Sequence, residues 1–395
     1  MTKSTKESRR NKGPRTLLTH AGRDPFAEHG FVNAAIYRGS TVLFENAQAL
    51  RTLNAPYTYG TKGTPTIRAL ESAWSEVAGA ETTVLAPSGL AAIALALMTA
   101  TKAGDHALVA DCAYQPTRIF CDTVLARFGV EVDYYDPLVG ADIAALMKPS
   151  TAAVLVESPG SQSMEMQDVP AIAAAAHARG ACVVMDNTWA TPLFFPPHAH
   201  GVDLAVEAGT KYLSGHSDLL LGLVSANADW APRLRASFNA FAMCAGPEDA
   251  WLALRGMRTM ALRLREQERA GLEIAQWLAA RPEVSRVLHP ALPADPGHAL
   301  WKRDFSGAAG LFSVILKPAS RKAVDAFLDD LELFGLGYSW GGFESLVIPF
   351  DCRSYRTTTQ WAPEGPALRF SIGLEDAADL IADLEAAFAR LAAEE

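Results

Sequence analysis

Three short runs of this chain pair reactive residue types with positions where chemistry is commonly done. The first is Thr210-Lys211-Tyr212, followed by Ser214-Gly215-His216. Most lysines are solvated. Lys211, however, lies between the apolar runs Val202–Ala208 and Leu219–Val224, with Gly209 and Gly215 permitting close backbone approach. Taking a lysine out of water disfavours its charged form, lowers its pKa and leaves an amine that can serve as nucleophile or base. The second run, Asp186-Asn187-Thr188-Trp189, follows the apolar stretch Ala181–Met185. An aspartate there must be paired or hydrogen-bonded to stay ionised, either as a turn or helix cap or as the partner of a cationic group. The third, Pro87-Ser88-Gly89-Leu90, follows Thr82–Leu85 and opens an Ala-rich run. A helix beginning there offers free N–H groups and a positive dipole end to a phosphate, although serine before a helix is also an ordinary N-cap.

Each run is a weak signal by itself. Their chain order, a phosphate loop, then a carboxylate, then a desolvated lysine, matches a site for pyridoxal 5′-phosphate. In such a site the aspartate faces the pyridine nitrogen and keeps it protonated.

The elements around these runs predict how they are brought together. Leu70, Trp74 and Val77 recur with helical spacing after Pro65, which predicts an amphipathic helix with proline in its first turn. Thr82–Leu85, His106–Ala110, Glu131–Tyr135, Ala152–Val156, Ala181–Met185 and Val202–Val206 read as strands, and Gly89–Thr101 as a buried helix. Runs such as Val154-Leu155-Val156 are continuously apolar, as expected of strands covered on both faces. Strand–helix alternation of this kind predicts an α/β fold with a mostly parallel, doubly wound sheet. Ligands in such sheets sit beyond the carboxyl ends of the strands, where all three runs fall. An Arg-rich helical stretch over Pro247–Arg281 is placed to connect two domains. Strands at Gly310–Leu316 and Leu368–Ile372 with helices at Arg321–Leu331 and Asp376–Ala393 then predict a smaller α+β C-terminal domain.

Composition narrows the function classes. A chain of 395 residues with 49% hydrophobic content supports more than one core. The net charge of -9 argues against a nucleic-acid partner, which needs basic patches. No apolar run reaches the roughly 20 residues of a membrane span. The basic opening Met1–Arg15 lacks the apolar core of a secretory signal and reads as a disordered arm. Five scattered cysteines show no metal-ligand spacing and no disulfide framework, and Cys182 reads as a core residue. These features together point to a cytoplasmic protein with no membrane association and no metal.

The runs Tyr59-Gly60-Thr61-Lys62-Gly63-Thr64-Pro65-Thr66, Ala113-Tyr114-Gln115-Pro116, Glu157-Ser158-Pro159-Gly160 and Met185-Asp186-Asn187-Thr188-Trp189 resemble the Cys/Met-metabolism family of pyridoxal phosphate enzymes. So do Thr210-Lys211-Tyr212, Gly215-His216-Ser217-Asp218 and Tyr338-Ser339-Trp340-Gly341-Gly342, in the family's order and over nearly the whole chain from about Thr16. The resemblance implies the aspartate-aminotransferase-like fold (fold type I). It also implies a homotetramer of two tight dimers. The chain then divides into an arm over residues 1–63 that completes the neighbouring subunit's site, a cofactor-binding domain over 64–256 and a C-terminal domain over 257–395.

By the same resemblance Lys211 carries the cofactor covalently, Asp186 pairs with its ring nitrogen, and Tyr114 stacks on the ring. Ser88, Gly89 and Leu90, with the Thr210 hydroxyl, cradle the phosphate, and Tyr59 reaches it from the neighbouring subunit. Tyr59 and Tyr114 join Lys211 as catalytic candidates. Arg369 grips the carboxylate of an amino-acid substrate, with Ser339 and Trp340 lining that side. Two departures thin the cradle: Thr61 stands where relatives often carry arginine, and Ala208 where many carry serine. The implied reaction is β-elimination of L-cystathionine to homocysteine, pyruvate and ammonia. Pro116, where γ-lyases carry cysteine, and Trp340 favour it over the γ-elimination or γ-replacement of other members. A non-catalytic binding protein on the same scaffold is the remaining alternative.

Overall fold

The computed structural model describes residues 12–394. Most of the basic opening segment lies outside that range, but Pro14 and Arg15 begin a helix, Pro14–His20, rather than belonging to a disordered arm.

Seven strands form the larger sheet: β1 (Thr82–Ala86), β2 (His106–Ala110), β3 (Glu131–Tyr135), β4 (Thr151–Glu157), β5 (Cys182–Asp186), β6 (Leu204–Ala208) and β7 (Gly222–Ala226). Their order is β1-β7-β6-β5-β4-β2-β3. β3, β2, β4, β5 and β6 run parallel, as the apolar runs predict, and are joined by crossovers. β7 is antiparallel to both β6 and β1 and was not anticipated. Its consequence is local and chemical: β6 returns directly as β7, and the loop between them carries Lys211.

Helices cover both faces. One face buries Leu85, Val154, Val156, Val183 and Met185 together with Leu70 and Trp74 of helix Pro65–Ala78. That helix starts where Thr64 caps it and Pro65 pre-sets its first turn. It stops at Gly79, whose left-handed φ of 67° needs no Cβ. The other face buries Val84, Leu155, Val184 and Val206 beneath helix Gly89–Ala100, which is apolar all round and therefore internal. Glycine is required where this helix crosses the sheet. A Cβ on Gly89 would lie 2.8 Å from Ala208 Cβ, and one on Gly222 would strike the Ser88 carbonyl.

The predicted Arg-rich helix is two, Pro247–Met257 and Met260–Ala279, interrupted at Arg258–Thr259. The break has work to do. Arg258 Nη1 donates to the Leu18 and Ala21 carbonyls at the end of helix Pro14–His20. Arg263, one turn into the second helix, is buried and donates to the Tyr212, Leu213 and Gly256 carbonyls, bracing the Lys211 loop. Gly215 passes this guanidinium at φ 68°, where any Cβ would overlap it.

A second sheet has the order β10-β11-β12-β9-β8, formed by β8 (Val284–Leu288), β9 (Leu311–Leu316), β10 (Gly335–Leu336), β11 (Leu346–Phe350) and β12 (Ala367–Ser371). Phe312, Val314, Leu368 and Phe370 pack against helices Arg321–Asp329 and Ala377–Ala393. Alternation turns Ser313 and Arg369 to the opposite face, where Leu311 and Ile315 join the first core cluster. Among the described residues no helix is long and apolar enough to cross a membrane, and no cluster of three His, Cys, Asp or Glu is disposed to hold a metal.

Candidate active site

A cavity of about 240 Å³ opens at the carboxyl ends of β4, β5 and β6, with β9 and β12 contributing its other wall. Ser88, Gly89, Leu90, Tyr114, Asp186, Thr210, Lys211, Trp340 and Arg369 all line it. Residues separated by up to 281 positions thus meet in one space, and the three runs that drew notice in the sequence are its centre.

Lys211 enters from the β6–β7 loop, where its N–H donates to the Ala208 carbonyl. Its Nζ donates to Ser339 Oγ at 2.8 Å and stands 5.2 Å from the centre of the Trp340 ring. Burial, reinforced by the positive Arg369, lowers its pKa to about 8, with Asp186 partly opposing the shift. Near neutral pH a useful fraction of Lys211 is therefore free amine, the form that attacks a carbonyl or accepts a proton.

Asp186 closes β5. Its Oδ1 accepts from Thr188 N at 3.0 Å and Thr188 Oγ1 at 2.6 Å, an Asx turn that holds the carboxyl in place. Oδ2 has no hydrogen-bond partner among the described residues. Two further acids stand close by, and the sequence reading assigned them no role. Glu157 faces Asp186 across the β4–β5 register, and Glu207 lies on neighbouring β6. Burial, and then the charge of Asp186, pushes both well above the carboxylate range. Burial raises Asp186 too, but the two Thr188 hydrogen bonds and Lys211 oppose it. Of the three, Asp186 is the one with both Thr188 donors and the Lys211 cation opposing its upward shift. Glu157 Oε2 also accepts from Tyr114 N at 2.8 Å, which fixes the start of the Tyr114 segment at the mouth of the cavity. The only advance signal for Glu157 was its place in a recognised run; Glu207 gave none.

The Ser88 side chain is the N-cap of helix Gly89–Ala100, accepting from Ala91 N at 3.1 Å. The cap leaves the helix start open to an anion: the N–H groups of Gly89 and Leu90 have no partner within the helix and border the cavity. Thr210 Oγ1 accepts from Leu221 N at 3.0 Å and ties the Lys211 loop shut, while still lining the cavity.

Arg369 is 7% exposed, yet among the described residues no carboxylate pairs with it. Its Nη2 donates to the Tyr338 and Ser339 carbonyls at 2.8 and 3.1 Å, and its buried Nε has no partner among the described residues. A buried guanidinium without a counter-ion is costly, and an anionic group entering the cavity would relieve that cost.

Tyr59 is elsewhere. It is 49% exposed and does not line the cavity of its own chain; the N–H of the following Gly60 is bound to the Ser40 carbonyl.

The parts match the demands of pyridoxal phosphate one for one. Bare N–H groups at a helix start suit a phosphate, Asp186 has a free carboxyl oxygen for a protonated ring nitrogen, and Lys211 presents an amine of lowered pKa. The sequence profile described as Cys/Met metabolism PLP-dependent enzyme matches residues 15–389. A putative cystathionine beta-lyase of Rhizobium johnstonii is 53% identical over 97% of this chain and 98% of its own length. The cystathionine beta-lyase MetC of Escherichia coli is 40% identical over 95% and 98%. The crystal structure of metB from Corynebacterium glutamicum superposes with a TM-score of 0.90 at 32% identity, covering 96% of this chain and 99% of that one. With the geometry and the full-length similarity in agreement, this chain belongs to the Cys/Met metabolism family of pyridoxal-phosphate-dependent enzymes.

Proposed function

We propose that this protein is a carbon–sulfur lyase that uses pyridoxal 5′-phosphate to cleave L-cystathionine by β-elimination, giving homocysteine, pyruvate and ammonia with one water consumed. The observation that carries the reading is the pairing, in one cavity, of a half-buried lysine of lowered pKa with a buried arginine that lacks a counter-ion. The curated relatives reported above bear the names of β-lyases.

When bound, the cofactor supplies an electron sink that makes the substrate Cα–H acidic. The chain's residues do the rest. Asp186 Oδ2 holds the ring nitrogen protonated, and the Gly89 and Leu90 N–H groups with Thr210 hold the phosphate. Tyr114 packs over the ring. Arg369 orients the substrate through its α-carboxylate. Lys211 Nζ would be the cofactor's covalent attachment point, and as a free amine it would take the Cα proton and return a proton to the departing sulfur. Ser339, whose hydroxyl already accepts from Nζ, steers the amine between these positions, and Trp340 walls it from water.

The arm over residues 1–63 is read as reaching a second copy, bringing Tyr59 to that copy's phosphate site, within a homotetramer of paired dimers. Exposed apolar side chains in this segment support that reading: Phe31 is 75% and Leu43 89% exposed. Residues 64–256 then form the cofactor-binding domain and 257–395 the C-terminal domain. A reducing, cytoplasmic location suits the five cysteines, all of them free.

The test is product identity. Incubation with L-cystathionine should release pyruvate; release of 2-oxobutyrate instead would assign γ-elimination, and release of neither would remove the lyase reading.

The departure at Thr61 gives a further expected result. Among the described residues Lys211 and Arg369 are the only cations lining the cavity, and both have other tasks. The phosphate's charge is then met by N–H and hydroxyl donors unless the neighbouring chain brings a cation, and Lys62 is the nearest in the Tyr59 segment. Thr61→Arg should tighten cofactor binding. Lys62→Ala should weaken it, more so at low salt, where charge is less screened. Equilibrium dialysis of the cofactor against both variants measures this; unchanged affinity in Lys62→Ala would mean that neutral donors suffice.

A further inference from the structure

Beside Arg369 the cavity wall carries a side chain for which the reaction just described has no use. Gln162 lies in the loop after β4 with a left-handed φ of 64°, uncommon for a residue with a side chain. Its carbonyl accepts from Ser313 Oγ, and Ser313 stands directly opposite Arg369 in the β9–β12 register, on the same face of the sheet. The Gln162 backbone is therefore pinned next to the arginine.

Its side chain is pinned too. The Cys352 thiol lies 3.8 Å from Gln162 Oε1, and the Tyr355 hydroxyl lies 3.3 Å from that oxygen and 2.9 Å from Cys352 Sγ. Burial raises the thiol to about 11 and pushes the phenol up as well, so both keep their protons; the Tyr355 proton is shared between Cys352 Sγ and Gln162 Oε1, and the thiol's own proton is left for Oε1. The segment bearing them is clamped in turn. Arg356 pairs with Glu165 at 2.6 Å and with Asp111 at 3.3 Å, and Asp111 also accepts from the backbone of Thr357 and Thr359. With the oxygen end occupied, the Gln162 NH₂ has no partner among the described residues, and the side chain borders the cavity.

A carboxylate has about four acceptor positions. Arg369 spends Nη2 on backbone carbonyls, so it can offer a carboxylate no full two-pronged fork without giving up those bonds, and acceptor positions on the carboxylate stay open. We propose that Gln162 Nε2 is a second donor to the substrate's α-carboxylate, aimed there by Tyr355 and Cys352. This rests on the reading of Arg369 given above. A carboxylate held from one side only can pivot about that contact; a donor on a second side stops the pivot and fixes where the Cα–H points relative to Lys211. Gln162 is thereby a substrate-binding residue, and Tyr355 is a positioning residue that acts through it.

The experiment uses the holoenzyme and 3-(methylthio)propionate, a substrate-like carboxylate that lacks the amine and cannot react with the cofactor. Calorimetry should show binding about tenfold weaker in Gln162→Leu, which keeps the volume but loses the donor. Gln162→Glu should be weaker still, because it sets like charges together. Tyr355→Phe, which frees the amide without removing it, should lose about threefold. kcat/KM for L-cystathionine and for S-ethyl-L-cysteine should fall by matching factors, since both carry the same α-carboxylate. Cofactor absorbance and melting temperature equal to those of the unmodified enzyme would show that the variants are folded. Unchanged affinity in Gln162→Leu overturns the proposal, as does tighter binding in Gln162→Glu than in Gln162→Leu. A loss confined to cystathionine also overturns it, by placing the amide at the substrate's far end. Failure of the unmodified enzyme to act on cystathionine would refute the lyase reading instead, leaving the calorimetric result to judge Gln162 by itself.

Discussion

Lys211→Ala should lose carbon–sulfur cleavage almost entirely while the protein stays folded. On the proposed role of Lys211 two functions disappear together: the covalent hold on the cofactor and the base that moves the Cα proton to sulfur. A positioned acid–base group alone contributes about 10²–10⁴-fold, so pyruvate release should fall by at least about 10³-fold. The fold should tolerate the change. Among the described residues the lysine side chain makes one hydrogen bond, to Ser339, and burial already disfavours its charge. Dialysis should strip the cofactor's visible absorbance from the variant and not from the unmodified enzyme, because the remaining contacts are non-covalent. Readdition should restore colour but not turnover. Near-normal turnover of cystathionine by this variant would defeat the assignment.

Arg369→Leu is the second large effect, and its direction differs between function and stability. The buried guanidinium has no carboxylate partner and an unsatisfied Nε. If it waits for the substrate's α-carboxylate, losing that charge-assisted pair should lower kcat/KM by about 3 kcal/mol, or roughly two orders of magnitude. An uncompensated buried charge contributes little to folding, so the melting temperature should hold or rise. Cofactor absorbance should be unaffected. Loss of colour with intact substrate affinity would move Arg369 out of the substrate pocket; a fall in melting temperature would make it a structural group.

How much of this was legible beforehand varies with how local the physics is. The parallel strands were visible because strands buried on both faces are apolar throughout, whatever the rest of the chain does. Helix Pro65–Ala78 announced itself by a cap, a proline and a repeating apolar spacing, all within 16 residues from Thr64 to Gly79. β7 was missed because Leu219–Val224 is apolar enough for a strand but carries no mark of its direction. Only the tight return from β6, closed by the Thr210–Leu221 hydrogen bonds, makes it antiparallel. The Arg-rich stretch read as one helix because arginine is a good helix former at every position. What breaks it is Arg258 reaching the end of a helix some 240 residues earlier, and no local pattern encodes that.

The site divides along the same line. By itself the sequence singled out residues that the fold then brings to one cavity: a lysine, an aspartate and a helix start can be recognised by type, neighbours and order, since each sits at the end of an element whose own pattern is local. Only the tertiary structure decided the electrostatics. Glu157, Asp186 and Glu207 are separated by 29 and 21 residues yet share one low-dielectric patch because β4, β5 and β6 are neighbours. Which of the three keeps a charge depends on hydrogen bonds and burial that sequence spacing does not contain. Arg369 and Gln162 make the same point. One is an arginine in a strand and the other a glutamine in a loop until Ser313, Tyr355 and Cys352 fold them onto one wall, where the absence of a counter-ion and of a partner for the amide becomes a physical fact.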